Sequence, residues 1–243
     1  MTVAEQHFRN FLLLEEYKII FCYLPKVACT SFKCFFRKIL GHKDWLDAAR
    51  AHAEPPESDI PRLSDLDVST AREMLADSAW KKIVFVRNPY TRIVSAYINK
   101  FMECDSQFLD IYRRVALGIY AKIGEDAVAD GDPRQLTLDQ FVKYLGMERD
   151  DLAMDDHWIP QSTIALPGQI SYDFIGRFEN LSLDLRSCSA QSGLVFELPS
   201  TRDTKFASVE ADRRSITMLS DSHRETIRAR YASDFELFGY PVE

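Results

Sequence analysis

The amino-acid sequence predicts an α/β protein with three layers, in which helices cover both faces of a central parallel sheet. Twice, a continuous apolar run leads through a short loop into an amphipathic helix, first in "YKIIFCYLPKVACTSFKCFFRKIL" and again in "KKIVFVRNPYTRIVSAYINKFM". Continuous apolar runs are typical of parallel strands buried on both faces. Repeated strand–loop–helix units build a parallel sheet. The length of 243 residues suits one domain over residues 1–243.

The first strand is predicted over Lys18–Leu24 and the first helix over Thr30–Leu40, with Gly41 as its C-cap. Residues 42–79 are less regular; the stretch "AEPPESDIPRLSDLDVST" is rich in proline and acidic side chains and is interpreted as a surface loop. Ser69–Glu73 then has the pattern of a capped helix start. The second strand is predicted over Lys82–Val86, and the segment "YTRIVSAYINKFM" predicts the helix that follows it.

The remainder of the chain is predicted to be largely helical with one further strand. Residues 105–150 include "LTLDQFVKYL", whose pattern predicts a capped amphipathic helix. A third strand is predicted over Tyr172–Gly176, and the segment "DSHRETIRARYASDFELFGY" predicts a C-terminal helix. No internal repeat or low-complexity tract interrupts these elements.

The composition and net charge of the sequence narrow the classes of ligand that the protein is expected to bind. The net charge is −7 and the isoelectric point is about 5.3, so the overall field repels nucleic acid and anionic membranes, and an anion needs a local basic pocket. No apolar run approaches the roughly 20 residues of a membrane-spanning helix. The five cysteines show no zinc-binding spacing, and no metal site is expected. Reduced cysteines and the lack of a signal peptide favour a cytoplasmic location.

The loop after the first predicted strand has the features of an anion site. It lies at the carboxyl edge of the sheet, where open α/β folds bind ligands. The N–H groups of the following helix favour an anion, Lys26 adds a positive charge, and Thr30 and Ser31 add hydroxyl groups. The order differs from the phosphate-binding loop G-x-x-x-x-G-K-[ST], because the lysine comes first. The alternative is a solvated Lys26 with Thr30 as an ordinary N-cap.

The loop after the second predicted strand indicates a second anion site. Arg87 leaves the strand at the same edge of the sheet, and Ser95 follows about two helical turns later. An arginine fork together with a hydroxyl group suits a dianionic phosphate. Two anion sites at one edge indicate a nucleotide that is phosphorylated at two places.

These two stretches resemble the motifs of the sulfotransferases that use 3'-phosphoadenosine 5'-phosphosulfate (PAPS). "LPKVACTSFK" is similar to the 5'-phosphosulfate loop of that family, and "VRNPYTRIVSAYINKF" is similar to its 3'-phosphate motif. The similarity is nearest to the membrane-associated carbohydrate O-sulfotransferases of chondroitin, dermatan and related glycans. Three further stretches agree in order with that branch, "DDHWIPQ", "YDFIGRFENL" and "YASDFELFGY".

The resemblance implies a P-loop-like nucleotide-binding sulfotransferase fold, PAPS as cofactor and 3'-phosphoadenosine 5'-phosphate (PAP) as its product. It places the 5'-phosphosulfate on Lys26, Thr30 and Ser31 and on the loop of Val27, Ala28 and Cys29. It places the 3'-phosphate on Arg87 and Ser95. Arg202 and Lys205 lie where the family often closes a loop over the cofactor, although the match there is poor. Unlike the membrane-bound relatives, this sequence shows no N-terminal anchor, which again favours a cytoplasmic enzyme.

Sulfuryl transfer by in-line displacement needs a stabilised leaving group and a general base. Lys26 is predicted to neutralise the leaving oxygen. His52 and His157 are the candidate bases, because heparan 2-O-sulfotransferases use a histidine in the topological place of His52, whereas His157 lies in "DDHWIPQ" with acids that could orient it. Glu103 and Asp156 are weaker candidates.

Several alternatives remain open from the sequence. The acceptor hydroxyl is predicted to belong to a glycan, with a small metabolite or a lipid as the alternative. A nucleotide-dependent kinase of similar fold and a non-enzymatic binding module are the remaining alternatives. Three aromatic side chains could stack on a sugar or belong to the core: Tyr97, Phe101 and Trp158.

Overall fold

The computed structural model describes residues 7–53, 57–199 and 216–242. These residues group into two compact units. The first unit holds the described residues up to 87 together with 161–199, and the second holds 88–160 and 216–242. The single domain over residues 1–243 stays a prediction, because two compact units can belong to one folding domain. Arg202 and Lys205 lie outside the described residues.

The first unit contains a four-stranded sheet of order β1-β2-β3-β4, with β1 at Phe11–Leu14, β2 at Ile19–Cys22, β3 at Lys81–Val86 and β4 at Phe174–Arg177. The last three strands are parallel, as predicted, and the α/β fold class is confirmed. The prediction missed β1, which runs antiparallel to β2 and makes the sheet mixed. A single turn reverses the chain between them and ends at Lys18 with a φ of +51°.

The helices, in chain order, are α1 Cys29–Ile39, α2 Ala48–Ala51, α3 Val68–Ala76, α4 Pro89–Tyr97, α5 Leu109–Ile123, α6 Leu138–Met147, α7 Gln161–Ala165, α8 Leu181–Ser192, α9 Asp221–Arg230 and α10 Ala232–Leu237. A π-helical turn, Ile98–Met102, continues α4. The predicted C-terminal helix is divided into α9 and α10 at Tyr231. Within the described ranges, no helix combines the length and the apolar character that crossing a membrane requires.

Aromatic side chains fix α1 on the sheet. The ring of Phe21 on β2 lies 4.6 Å from that of Phe32 and 5.0 Å from that of Phe36, both on α1. Phe85 on β3 contacts Phe32 at 4.9 Å. Gly176 on β4 lies beside the Phe85 ring, where a Cβ atom would come within 2.3 Å of a ring carbon. This packing holds the start of α1 close to the carboxyl edge of the parallel strands.

An aromatic cluster forms the core of the second unit. Phe101 packs against Phe141 at 5.2 Å and against Trp158 at 5.6 Å, and Tyr97 lies 5.9 Å from Phe141. These side chains are at most 7% exposed. Tyr97, Phe101 and Trp158 therefore belong to the core, and the structure gives no support for sugar stacking by them.

Candidate functional site

The loop between β2 and α1 has an unusual backbone. Lys26 has a φ of +69° and Ala28 a φ of +52°, so two residues that carry a Cβ atom adopt the left-handed conformation. Such residues cost free energy and concentrate at binding and catalytic sites. The loop thus makes its tight turn without glycine and places its strain at the predicted anion site.

The first turn of α1 lacks a side-chain cap. Its N-cap is Ala28, whose methyl side chain cannot accept a hydrogen bond, and no side-chain cap is found at this position among the described residues. The Phe32 N–H donates to the carbonyl of Ala28 over 3.0 Å, so the amides of Cys29, Thr30 and Ser31 precede the first intrahelical donor. The Val27 N–H donates within the loop to the carbonyl of Leu24 over 3.2 Å. The start of α1 therefore offers amides and two hydroxyl groups to an anion.

Arg87 links the ends of β2 and β3. Its Nη1 donates to the carbonyl of Lys26 over 2.6 Å, and its guanidinium lies 4.6 Å from the centre of the Phe178 ring. The residue is 3% exposed. The structure therefore brings together the lysine and the arginine that were predicted for two different anions, and Arg87 supports the left-handed turn at Lys26.

Gln161 fixes the backbone of Arg87. The Arg87 N–H donates to Oε1 of Gln161 over 2.9 Å, and Nε2 of Gln161 donates to the carbonyl of Arg87 over 2.8 Å. Gln161 is completely buried. One side chain therefore satisfies both backbone polar groups at the point where the chain leaves β3.

The structure places His52 at the start of α1. Its Nε2 lies 2.8 Å from Oγ1 of Thr30, within hydrogen-bonding distance. His52 is exposed and lies directly after α2. Nη2 of the buried Arg62 donates to the carbonyl of the next residue, Ala53, over 2.7 Å.

The buried Arg37 of α1 binds two carboxylates that lie on opposite sides of His52 in the sequence. Its Nε donates to the carboxylate of Asp59 over 3.0 Å and its Nη2 to that of Asp44 over 2.7 Å. Both arginines are at most 1% exposed. Two buried arginines therefore fix the backbone on both sides of an exposed imidazole.

His157 belongs to the second unit and is paired with Asp155. Its Nδ1 lies 2.5 Å from Oδ1 of Asp155, which also accepts the His157 N–H over 2.9 Å. Burial raises the pKa of Asp155, but the hydrogen bonds and the charge of His157 outweigh it and leave this pKa below its ordinary value of 3.8. A carboxylate on Nδ1 favours the tautomer with its proton there and leaves Nε2 as the hydrogen-bond acceptor.

The buried Arg92 anchors this segment. Its Nη1 donates to the carbonyl of Ile159 over 2.8 Å and its Nη2 to that of Asp156 over 3.1 Å. In the same unit, Ser95 is half-buried on α4 and Glu103 is exposed at the end of the π-helical turn. Lys26, the start of α1, His52 and Arg87 thus lie together in the first unit, whereas Ser95 and His157 lie in the second.

Two buried residues, Gln161 and Lys33, were not predicted from the sequence. Gln161 occurs in the recognised stretch "DDHWIPQ", but its contact with Arg87 depends on long-range packing and has no local signal. Lys33 was also missed; it is 2% exposed and its ammonium lies 3.9 Å from the centre of the Tyr23 ring. Its place one turn into α1, after the hydroxyl residues, is the signal that could have identified it.

Most of the chain is similar to known proteins. Residues 9–241 match the model of the sulfotransferase family. Carbohydrate sulfotransferase 14 of Danio rerio is 30% identical over 96% of this chain and 63% of its own length. Carbohydrate sulfotransferase 14 of Homo sapiens is 29% identical over 96% of this chain and 61% of its own length. Carbohydrate sulfotransferase 8 of Mus musculus is 26% identical over 98% of this chain and 58% of its own length.

The chain therefore spans about three-fifths of the length of these relatives. No solved structure shows significant similarity to it.

Proposed function

Because the chain belongs to the sulfotransferase family, we propose that it transfers a sulfuryl group from PAPS to a hydroxyl group of a carbohydrate. The observation that best supports this function is the hydrogen bond from Arg87 to the carbonyl of Lys26. It joins the loops after two neighbouring parallel strands, at the edge of the sheet where α/β folds bind nucleotides.

The residues at this edge fit a ligand with two separate anionic groups. The uncapped start of α1, Lys26 and the hydroxyl groups of Thr30 and Ser31 suit the 5'-phosphosulfate. Arg87, with its planar donor fork, suits the 3'-phosphate. The assignment of Ser95, which belongs to the second unit, to this phosphate stays a prediction from the sequence. The left-handed turns at Lys26 and Ala28 let the backbone wrap around an anion without glycine.

Lys26 is the proposed electrostatic catalyst. The donor supplies a sulfuryl group attached to a phosphate leaving group, and negative charge develops on the bridging oxygen as that bond breaks. The Lys26 ammonium stabilises this charge. A preorganised contact of this kind contributes about 10²–10³ in rate.

The acceptor hydroxyl loses its proton to a histidine. His52 is the proposed base because it contacts Thr30 at the phosphosulfate loop. His157 is the second candidate because Asp155 orients its ring. The carbohydrate acceptor is inferred from the names of the similar proteins, and a small metabolite or a lipid is the alternative.

Ligand-induced stabilisation tests the nucleotide site. PAP at about 100 times its Kd should stabilise the protein by about 2.7 kcal/mol. AMP should stabilise it less, because it lacks the 3'-phosphate. Incubation with PAPS and a panel of glycans, lipids and small alcohols should then add one SO₃ group to a glycan, detected by mass spectrometry. Equal stabilisation by AMP and PAP, or phosphate transfer from Mg-ATP, would overturn the proposal.

A further inference from the structure

The contact between Thr30 and His52 joins a proposed donor-binding hydroxyl group to the proposed base. The two side chains come from different segments, the first turn of α1 and the residue after α2, and their atoms lie 2.8 Å apart. A threonine hydroxyl has one proton to donate and lone pairs to accept. Its proton can point to His52 or to an anion in the loop, but not to both.

We infer that Thr30 controls the availability of His52, so that the imidazole becomes an effective base when the sulfuryl donor is bound. This inference rests on the proposed function. Without the donor, the Thr30 O–H donates to Nε2 of His52 and occupies the lone pair that would accept the acceptor's proton. With the donor bound, the O–H turns to an oxygen of the phosphosulfate and uncovers that lone pair.

The direction of this change follows from hydrogen-bond strength. A bond from a hydroxyl group to an anionic oxygen is roughly twice as strong as one between neutral partners. The phosphosulfate therefore displaces His52 as the acceptor of the Thr30 proton. Arg37 and Arg62 fix the chain on both sides of His52, so rotation of one hydroxyl group is sufficient and the imidazole stays at the loop.

The same contact serves the transfer step. The acceptor O–H gives its proton to Nε2 of His52, the acceptor oxygen forms a bond to sulfur, and the bond from sulfur to the bridging oxygen breaks with its electron pair left on PAP. The imidazolium N–H then donates to a lone pair of Thr30. Before the donor binds, Thr30 therefore occupies the Nε2 lone pair of His52. After proton transfer, Thr30 stabilises the imidazolium ring of His52.

Nuclear magnetic resonance of ¹⁵N-labelled histidine side chains tests this inference in the full chain. PAP carries a 5'-phosphate for the loop, whereas adenosine 3'-phosphate lacks it and is the matched control ligand. PAP should shift the Nε2 resonance of His52, assigned with His52→Ala, and adenosine 3'-phosphate should leave it in place. His42, whose Nε2 contacts the carbonyl of Asp59 at 3.2 Å, is the internal reference and should not move.

Two variants make the test independent of ligand binding. Without ligand, Thr30→Val should move the His52 resonance toward its position in the PAP complex, and Thr30→Ser should leave it near the wild-type position. An unchanged resonance in Thr30→Val would overturn the inference even if PAP binds. A shift of His52 with adenosine 3'-phosphate equal to that with PAP would also overturn it. Failure of PAP to stabilise the protein would instead contradict the proposed function.

Discussion

The side chain of Gln161 satisfies both backbone polar groups of Arg87, accepting from its N–H over 2.9 Å and donating to its carbonyl over 2.8 Å. Both residues are at most 3% exposed. Arg87 in turn donates to the carbonyl of Lys26. A residue distant in sequence therefore holds the arginine that supports the strained loop.

Gln161→Leu should destabilise the protein and weaken PAP binding together. The substitution keeps the approximate volume but leaves the N–H and carbonyl of Arg87 without this partner. Each buried polar group left unsatisfied costs about 1–3 kcal/mol, so we expect the free energy of unfolding to fall by about 2–4 kcal/mol in urea denaturation. Gln169→Leu is the control at an exposed glutamine of the same unit. Equal losses in both variants would contradict this role.

Lys26→Ala should lower turnover far more than it weakens PAP binding, because the charge that Lys26 stabilises develops mainly as the sulfur–oxygen bond breaks. We expect kcat to fall by about 10²–10³. Arg87→Ala should show the reverse pattern, a loss of PAP affinity measured by calorimetry.

Lys18 also has a left-handed backbone, with its ammonium over the Trp80 ring, so Lys18→Ala is the matched control for Lys26→Ala. Loss of affinity alone in both site variants would show that the roles are wrong.

Strands β2 and β3 could be predicted because each is a largely continuous apolar run. Strand β4 is short and only partly buried, and it begins two residues after its predicted start at Tyr172. Strand β1 was missed because the assignment of Phe11–Leu14 as a strand depends on its antiparallel pairing with Ile19–Cys22. Helix α1 differs from its predicted start by one residue, since Ala28 rather than Thr30 takes the cap position. The left-handed turns at Lys26 and Ala28 had no sequence signal, because glycine is absent there.

The side chains that would bind the ligand were easier to predict than the residues that hold them in place. Lysine, hydroxyl and arginine side chains follow predicted strands at fixed spacing, and the sheet brings such loops to one edge. The contacts of Gln161 with Arg87 and of Thr30 with His52 connect segments 74 and 22 residues apart. Such contacts depend on tertiary packing and cannot be predicted from a local sequence pattern.

Thiol labelling should locate the nucleotide at the start of α1. Cys29 is half-exposed, whereas Cys22, Cys34 and Cys188 are fully buried. Burial raises the pKa of Cys22 and Cys188 to about 12 and that of Cys34 to about 11, so these thiols should resist labelling at pH 8. Cys29 should react first, and PAP should slow its reaction. Unchanged labelling of Cys29 at saturating PAP would place the nucleotide elsewhere. Cys29→Ser is the control for assignment.

Asp155→Asn should destabilise the protein in a pH-dependent manner. Burial opposes the charge of Asp155, but its bonds with His157 hold the pKa below 3.8, so its ionised form stabilises the fold. That contribution is present above the unfolded pKa and disappears as pH falls through the folded pKa. The difference in urea stability between wild type and variant should therefore be largest near neutral pH and should shrink below about pH 4. A constant difference down to pH 2 would contradict this assignment.

Asp139→Asn is the matched control for that experiment. Asp139 also contacts a histidine, with 2.7 Å between its Oδ1 and Nε2 of His223, but its side chain is 84% exposed. An exposed pair contributes little to stability, so this variant should show a smaller loss at every pH.

The last prediction concerns which histidine is the general base. At saturating PAPS and acceptor, His52→Ala should lower kcat by about 10²-fold or more, while PAP affinity stays within a few-fold of wild type. His157→Ala should mainly raise the apparent KM of the acceptor, and His42→Ala should leave both parameters unchanged. The physical reason is the contact of His52 with Thr30, which places an imidazole at the proposed donor site. Asp155→Asn gives an independent readout, because it removes the carboxylate that orients His157 without touching His52.

If His157→Ala and Asp155→Asn both reduce kcat while His52→Ala does not, His157 is the base. If neither histidine variant lowers kcat by tenfold, the proton goes to a carboxylate such as Glu103 or Asp156, and the histidine mechanism is wrong.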